Sequence, residues 1–179
     1  MKKASIQPWK ELARELVFKK YSRAIEKVLF QLPDGSEADF YIKAESPVIC
    51  TLALTNDNQV ILARQFRPGP NKILLELPGG FIDGNEEPLQ AALRELQEET
   101  GYSGQATYVG SCLDDAYSTM LRHCIVVTDC VKVSEPMATS TEQTEVVLLP
   151  LSEFRTVLQS GQMTDVEVGY LCLDYLKLL

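Results

Sequence analysis

The first 80 residues combine alternating apolar and polar positions with short runs rich in Ile, Val, Leu and Phe, the patterns of β-strands. The predicted strands cover residues 23–32, 37–44, 48–55, 60–66 and 73–77. Turn-forming residues separate the first two pairs of strands, and Pro78-Gly79-Gly80 predicts a break after the last strand. Residues 11–20 fit a short helix and a strand equally well.

One segment changes from this alternation to the spacing of a helix. Its apolar positions are Leu89, Ala92, Leu93 and Leu96, which share one face. Pro88 suits a first helical turn, where its missing N–H costs nothing, and Gly101 is a natural C-cap residue. The pattern predicts a helix that opens at residues 85–88 and ends at about Thr100.

The remainder of the chain contains both kinds of pattern. Strands are predicted near residues 107–112, 122–131 and 146–149, a polar loop at 133–144, and closing helices at 152–159 and 165–178. We therefore expect an α+β fold in which the central helix docks on a mixed sheet. We expect two parts, a β-rich N-terminal extension over residues 1–45 and a main domain over residues 46–179.

The composition is that of a globular protein, with 45% hydrophobic and 23% charged residues among 179. Acidic residues outnumber basic ones by 25 to 17, which gives a net charge of −8. Nucleic-acid binders usually show the opposite balance, so no nucleic-acid partner is expected. An acidic chain that binds a small phosphorylated ligand would need local cations such as metal ions.

The chain carries no sign of export or membrane insertion. Its first residues lack the apolar stretch of a signal peptide, and its longest apolar runs are too short to span a bilayer. The five cysteines are odd in number and form no CxxC pair, which favours reduced thiols and a cytoplasmic location. His123 is the single histidine, which excludes a multi-histidine metal site.

Three acidic residues break the usual charge pattern of a helix. Glu95, Glu98 and Glu99 lie at positions i, i+3 and i+4, where like charges repel. They also occupy the last turns, where the helix dipole disfavours negative charge. One explanation is a solvated charged face. The other is a site for divalent cations, and carboxylate oxygens suit Mg²⁺ or Mn²⁺.

The residues around these acids resemble the Nudix box, the motif of the Nudix hydrolases. The matching residues are Gly80, Glu86, Arg94, Glu95, Leu96, Glu98, Glu99 and Gly101, with Tyr102 in the closing apolar position. The resemblance implies a Nudix fold, an α/β/α sandwich with a mixed sheet, and Mg²⁺ or Mn²⁺ as cofactor. A motif this long is far more specific than a lone glycine-rich loop.

The resemblance also implies roles for individual residues. The Gly79 carbonyl and the carboxylates of Glu95, Glu98 and Glu99 would bind the metal, with Glu99 among the catalytic groups. Arg94 would orient a ligand carboxylate. Glu86 would help close the loop, and Gly79-Gly80 would let the backbone turn sharply towards the metal.

Three further segments, residues 28–35, 64–68 and 75–80, look like the ADP-ribose pyrophosphatase branch of the family. In that branch the arginine matching Arg67 contacts the diphosphate, although a surface salt bridge is the alternative for this residue. The N-terminal β segment commonly packs across a homodimer and helps form the adenosine site. The chain departs from this branch at residues 114–120, which lack a Pro-Gly element; there Tyr117 could stack on a base or ribose, or pack on the sheet.

The expected reaction is metal-dependent hydrolysis of a nucleoside diphosphate joined to a second group, with ADP-ribose giving AMP and ribose 5-phosphate. Another nucleoside diphosphate sugar or a dinucleoside polyphosphate is the alternative substrate. Glu142 matches a loop glutamate that serves as general base in some members, Glu145 is its rival, and either can be a solvated loop residue. The rival function is a nucleotide-sensing module without turnover, and a purely structural domain would explain neither the acidic cluster nor the Gly79-Gly80 turn.

Overall fold

The computed structural model describes residues 6–137 and 143–179. The chain forms two compact units. The first unit comprises the chain up to Ser46 together with Leu113–Met120, and the second comprises Pro47–Cys112 and Leu121–Leu179.

The first unit contains a 3-stranded antiparallel sheet in the order β1-β2-β3. Its strands are β1 (Lys10–Lys20), β2 (Arg23–Gln31) and β3 (Glu37–Lys43). The segment that fitted a helix and a strand equally well is therefore a strand. Pairing with β2 makes this segment a strand and not a helix, because the antiparallel ladder supplies partners for the backbone N–H and C=O groups of β1. All residues of β1 are exposed within the single chain.

The second unit is built around a 7-stranded sheet in the order β10-β5-β4-β9-β8, with β6 paired to β5 and β7 paired to β4. The strands are β4 (Val48–Thr55), β5 (Gln59–Arg67), β6 (Lys72–Glu76), β7 (Gly79–Phe81), β8 (Tyr102–Leu113), β9 (Leu121–Lys132) and β10 (Thr144–Pro150). The sheet is mixed, since β4 runs parallel to β9 but antiparallel to β5. Strand β4 is almost wholly buried, as a strand covered on both faces must be.

Helices cover both faces of this sheet. They are α1 (Pro88–Thr100), α2 (Leu151–Ser160) and α3 (Val166–Tyr175). Leu96 of α1 packs with Ile49 and Ile61, whereas residues of α2 and α3 pack with Leu52 and Leu62 on the opposite face. The result is the expected α/β/α sandwich. Ala92 and Leu96 of α1 are buried in the core as expected, together with Ala91, whereas Leu89 is 37% exposed and Leu93 is only partly buried.

The structure differs from the sequence prediction at three places. Gly79–Phe81 forms a short strand paired with β4, where a break was expected, because the β4 backbone supplies partners that the local sequence does not reveal. Strand β8 starts at Tyr102, directly after the helix cap, and β10 already starts at Thr144.

Within the described part of the chain, no helix is long and apolar enough to cross a membrane. All five cysteines are free thiols.

Candidate active site

The acidic end of α1 is fixed by backbone contacts. Gly101 adopts the left-handed conformation with φ of 77°, and its N–H donates to the carbonyl of Gln97. The carbonyls beyond the last intrahelical bonds also find partners, since Met137 N–H donates to Glu98 O at 2.7 Å and Thr144 Oγ1 donates to Glu99 O at 3.1 Å. The expected C-cap is present, and it ends the helix directly after the glutamates.

The two glycines of β7 form the wall opposite these glutamates. Gly79 pairs with Cys50 and Gly80 with Ile49 in the ladder between β7 and β4. A Cβ at Gly79 would come within 3.1 Å of the Cys50 Cα, and a Cβ at Gly80 would overlap the carboxylate of Glu95. The backbone of β7 therefore approaches the α1 carboxylates more closely than a side chain would allow.

Glu99 makes direct contact with this wall. The backbone N–H of Gly79 donates to its Oε2 at 3.0 Å. Burial of the carboxyl group raises the pKa of Glu99 to about 8, and the Gly79 hydrogen bond only partly offsets that rise. The neighbouring charge of Glu95 adds to the increase in pKa. A carboxylate in this position would gain from a nearby cation.

Arg94 connects three of the acidic side chains. Its Nη1 donates to Glu95 at 2.8 Å and to Glu98 at 3.3 Å, while its Nη2 donates to Glu86 at 3.0 Å. Nη2 also donates to the carbonyl of Phe81 at 3.1 Å. These bonds tie α1 to the loop that follows β7, and the bond to Arg94 lowers the pKa of Glu86.

The donor set around Glu95 and Glu99 consists of oxygen atoms, which suits Mg²⁺ or Mn²⁺. In the described residues, however, no group of three or more His, Cys, Asp or Glu side chains is gathered closely enough to hold a metal ion. Glu98 is bonded to Arg94 in this arrangement. Glu95 is bonded to the same Arg94 nitrogen, but its carboxylate also lies against Gly80, and Glu99 is bonded to Gly79. Glu95 and Glu99 are therefore the two carboxylates beside the backbone of β7.

Arg67 lies at the end of β5, on the same side of the sheet as α1. Its partner is Glu76, a residue for which the sequence pattern predicts no role. Its Nε donates to both carboxylate oxygens of Glu76, at 2.8 and 2.7 Å, and its Nη2 also bonds to Oε2. Gln65 Nε2 donates to the same oxygen at 3.1 Å. The sequence does contain a signal for this pair, namely a glutamate within the apolar run Ile-Leu-Leu-Glu-Leu. A buried acidic side chain needs a charged or hydrogen-bonding partner.

Of Glu142 and Glu145, the two candidates for the general base, the structure describes the second. Glu142 lies outside the described residues. Glu145 lies in β10 opposite Arg64, and Arg64 Nη1 donates to its carboxylate at 3.1 Å. Both side chains of that pair are exposed.

Tyr117 belongs to the first unit, whereas the glutamates belong to the second. Its ring stacks on Phe40, with centroids 6.4 Å apart and planes inclined by 24°. Trp9 and Phe30 extend this aromatic group along the three-stranded sheet. Tyr117 nevertheless keeps 57% of its surface exposed. It both packs on the sheet and leaves a free ring surface.

Comparison of the sequence with known proteins identifies a family and several relatives of this chain. Residues 45–167 match the sequence profile of the NUDIX domain. An ADP-ribose pyrophosphatase of Bacillus subtilis (strain 168) is 26% identical over 174 residues, which cover 94% of this chain and 92% of the relative.

Two further proteins are similar to this chain, one in sequence and one in structure. An ADP-sugar pyrophosphatase of Mus musculus is 40% identical over 108 residues, which cover 56% of this chain and 50% of the mouse protein. A solved structure described as an ADP compounds hydrolase superposes with a TM-score of 0.78, covering 98% of this chain and all of that one. Its sequence identity is 20%, so this likeness concerns the fold.

Proposed function

Because this chain belongs to the NUDIX domain family, we propose that it is a pyrophosphohydrolase that cleaves the diphosphate bond of a nucleoside diphosphate sugar. ADP-ribose is our first substrate, giving AMP and ribose 5-phosphate. The names of the Bacillus subtilis and mouse relatives support this choice. The observation that carries it is the pair of carboxylates, Glu95 and Glu99, against the glycine backbone of β7.

We assign Glu95, Glu98, Glu99 and the Gly79 carbonyl as the groups that would hold a divalent cation, Mg²⁺ or Mn²⁺. The raised pKa of Glu99 supports the assignment, since a buried carboxylate without a cation is held in an unfavourable environment. When bound, such a cation polarises phosphate oxygens and activates water for attack on phosphorus.

The other residues would bind and orient. Arg94 holds the side chains of Glu95 and Glu98 and so fixes where their oxygens lie. Arg67 would contact the diphosphate, because a planar guanidinium suits phosphate oxygens. The exposed ring of Tyr117 would stack on the base or ribose.

For the general base, which would accept a proton from the attacking water, we propose Glu142. Its rival Glu145 is engaged with Arg64. The Glu145 carboxylate would have to release Arg64 before it could approach an attacking water.

A product-resolved screen tests the proposal. The substrates are ADP-ribose, other nucleoside diphosphate sugars and dinucleoside polyphosphates, each with Mg²⁺, with Mn²⁺ and with a chelator. We expect ADP-ribose to yield AMP and ribose 5-phosphate with either cation and neither product in chelator. Full activity in chelator would contradict the metal assignment, and binding of ADP-ribose without any turnover would identify a sensing module instead.

A further inference from the structure

The pair formed by Arg67 and Glu76 lies on the face of the sheet that carries α1. Side chains alternate along β5, so Gln65 and Arg67 project from the same face as Ile61, which packs with Leu96. The ladder between β5 and β6 places Glu76 opposite Ala63, and directly opposed residues project from one face. Arg67 and Glu76 therefore both project from the face of the sheet on which α1, the helix that carries the glutamates, is packed.

Folding alone gives no reason for a glutamate at position 76. Its side chain is 2% exposed and follows Ile73, Leu74 and Leu75 in a strand that an apolar residue would continue. Removing a carboxylate from water is costly, and a buried ion pair is on average no more stabilising than apolar residues of similar size. The position therefore calls for an explanation other than stability.

The bonds of Glu76 hold one edge of the guanidinium group and leave the other available. Nε and Nη2 of Arg67 both donate to the Glu76 carboxylate, and Gln65 donates to it from the same strand as Arg67. Among the residues that the structure describes, Nη1 of Arg67 has no hydrogen-bond partner, and the Arg67 side chain is 40% exposed. The guanidinium is thus fixed in orientation with donor groups still open.

We propose that Glu76 is a positioning residue, which fixes the guanidinium of Arg67 so that Nη1 is presented to the diphosphate of the substrate. The inference rests on the proposed function, since it takes Arg67 as the group that contacts the diphosphate. Preorganisation of this kind lowers the entropy lost when a flexible side chain binds a ligand.

A double-mutant cycle tests the positioning role with wild type, Glu76→Gln, Arg67→Ala and the double variant. Glutamine keeps the size of the side chain but removes the charged acceptor on which Arg67 is held. We expect Glu76→Gln to lower kcat/KM for ADP-ribose by roughly ten- to a hundredfold, the cost of a misplaced binding group. In the Arg67→Ala background the same change should alter kcat/KM by less than about twofold, since Glu76 acts through Arg67.

Two results would overturn the positioning role. One is an unchanged kcat/KM in Glu76→Gln, and the other is an equal loss in both backgrounds, as general damage to the fold would cause. Hydrolysis by the wild type tests the proposed function separately. If the wild type binds ADP-ribose without hydrolysing it, the proposed function fails and the cycle is decided by the four dissociation constants for ADP-ribose. If it hydrolyses another nucleoside diphosphate sugar instead, the cycle is measured with that substrate. If it binds none of the screened compounds, both ideas fall.

Discussion

At the scale of the residue, Glu99 shows the conflict between stability and function most clearly. Its carboxyl group accepts a hydrogen bond from Gly79, yet burial raises its pKa to about 8. The folded chain therefore disfavours the ionised form that would bind a cation. Such conflicts are typical of functional sites, where chemistry rather than folding decides the residue.

We expect Glu99→Gln to reduce turnover by roughly 10²-fold or more, as other losses of transition-state charge stabilisation do. In chelator its melting temperature should equal or exceed that of the wild type, because the amide can accept the Gly79 hydrogen bond without a charge to bury. Mg²⁺ should raise the melting temperature of the wild type more than that of the variant. Steady-state kinetics and thermal unfolding measure these effects.

Glu153→Gln is the matched control, since it makes the same change at an exposed position of α2 on the opposite face of the sheet. It should leave turnover and the Mg²⁺ response unchanged. Near-normal turnover in Glu99→Gln would contradict a catalytic role for the α1 glutamates.

At the scale of the element, the site depends on how closely β7 approaches both β4 and α1. The two glycines of β7 meet different neighbours. A Cβ at Gly79 would meet the backbone of β4, which cannot move without disturbing the sheet, whereas a Cβ at Gly80 would meet the end of the Glu95 side chain. Gly79 therefore allows β7 to pack closely on β4, and Gly80 leaves room for the carboxylate of Glu95.

This difference predicts opposite outcomes for two similar variants. Gly79→Ala should lower the free energy of unfolding by about 1–3 kcal/mol, the usual cost of overpacking. Gly80→Ala should leave the melting temperature within a few degrees of the wild type but lower kcat/KM, because Glu95 must turn away. Each variant is the control for the other, and equal melting temperatures with equal activities would refute the distinction.

At the scale of the whole molecule, the exposed side chains of β1 are the feature that a single chain leaves unexplained. Leu16, Val17 and Phe18 are 56%, 45% and 51% exposed, and β1 lies at the edge of its sheet. An apolar edge strand invites pairing with another chain. We therefore propose a second copy of this chain as its partner.

We predict that the protein is a homodimer whose interface includes β1, and that Val17→Glu shifts it to monomer because a charge would be buried there. Lys10→Gln changes the net charge by the same amount at the beginning of the same strand and should remain dimeric. Light scattering at micromolar concentration measures both. A monomeric wild type with full activity would overturn the prediction.

The sequence alone determined the features that depend on local pattern. The period of the apolar residues and the glycine after Thr100 located α1, and the spacing of its glutamates placed them on one flank of that helix. The α/β/α sandwich, expected from the resemblance, is confirmed. These features could be predicted because helix periodicity and capping act over a few residues.

Which distant residues meet is settled by the three-dimensional packing of the chain. It made residues 11–20 a strand, paired Gly79–Phe81 with β4, joined Arg94 to Glu86 and placed Glu76 beside Arg67. Each of these contacts joins segments that the local pattern treats independently, and burial then sets properties such as the raised pKa of Glu99. The physical reason is that ladder pairing and desolvation depend on the neighbours in space, which a local sequence pattern does not contain.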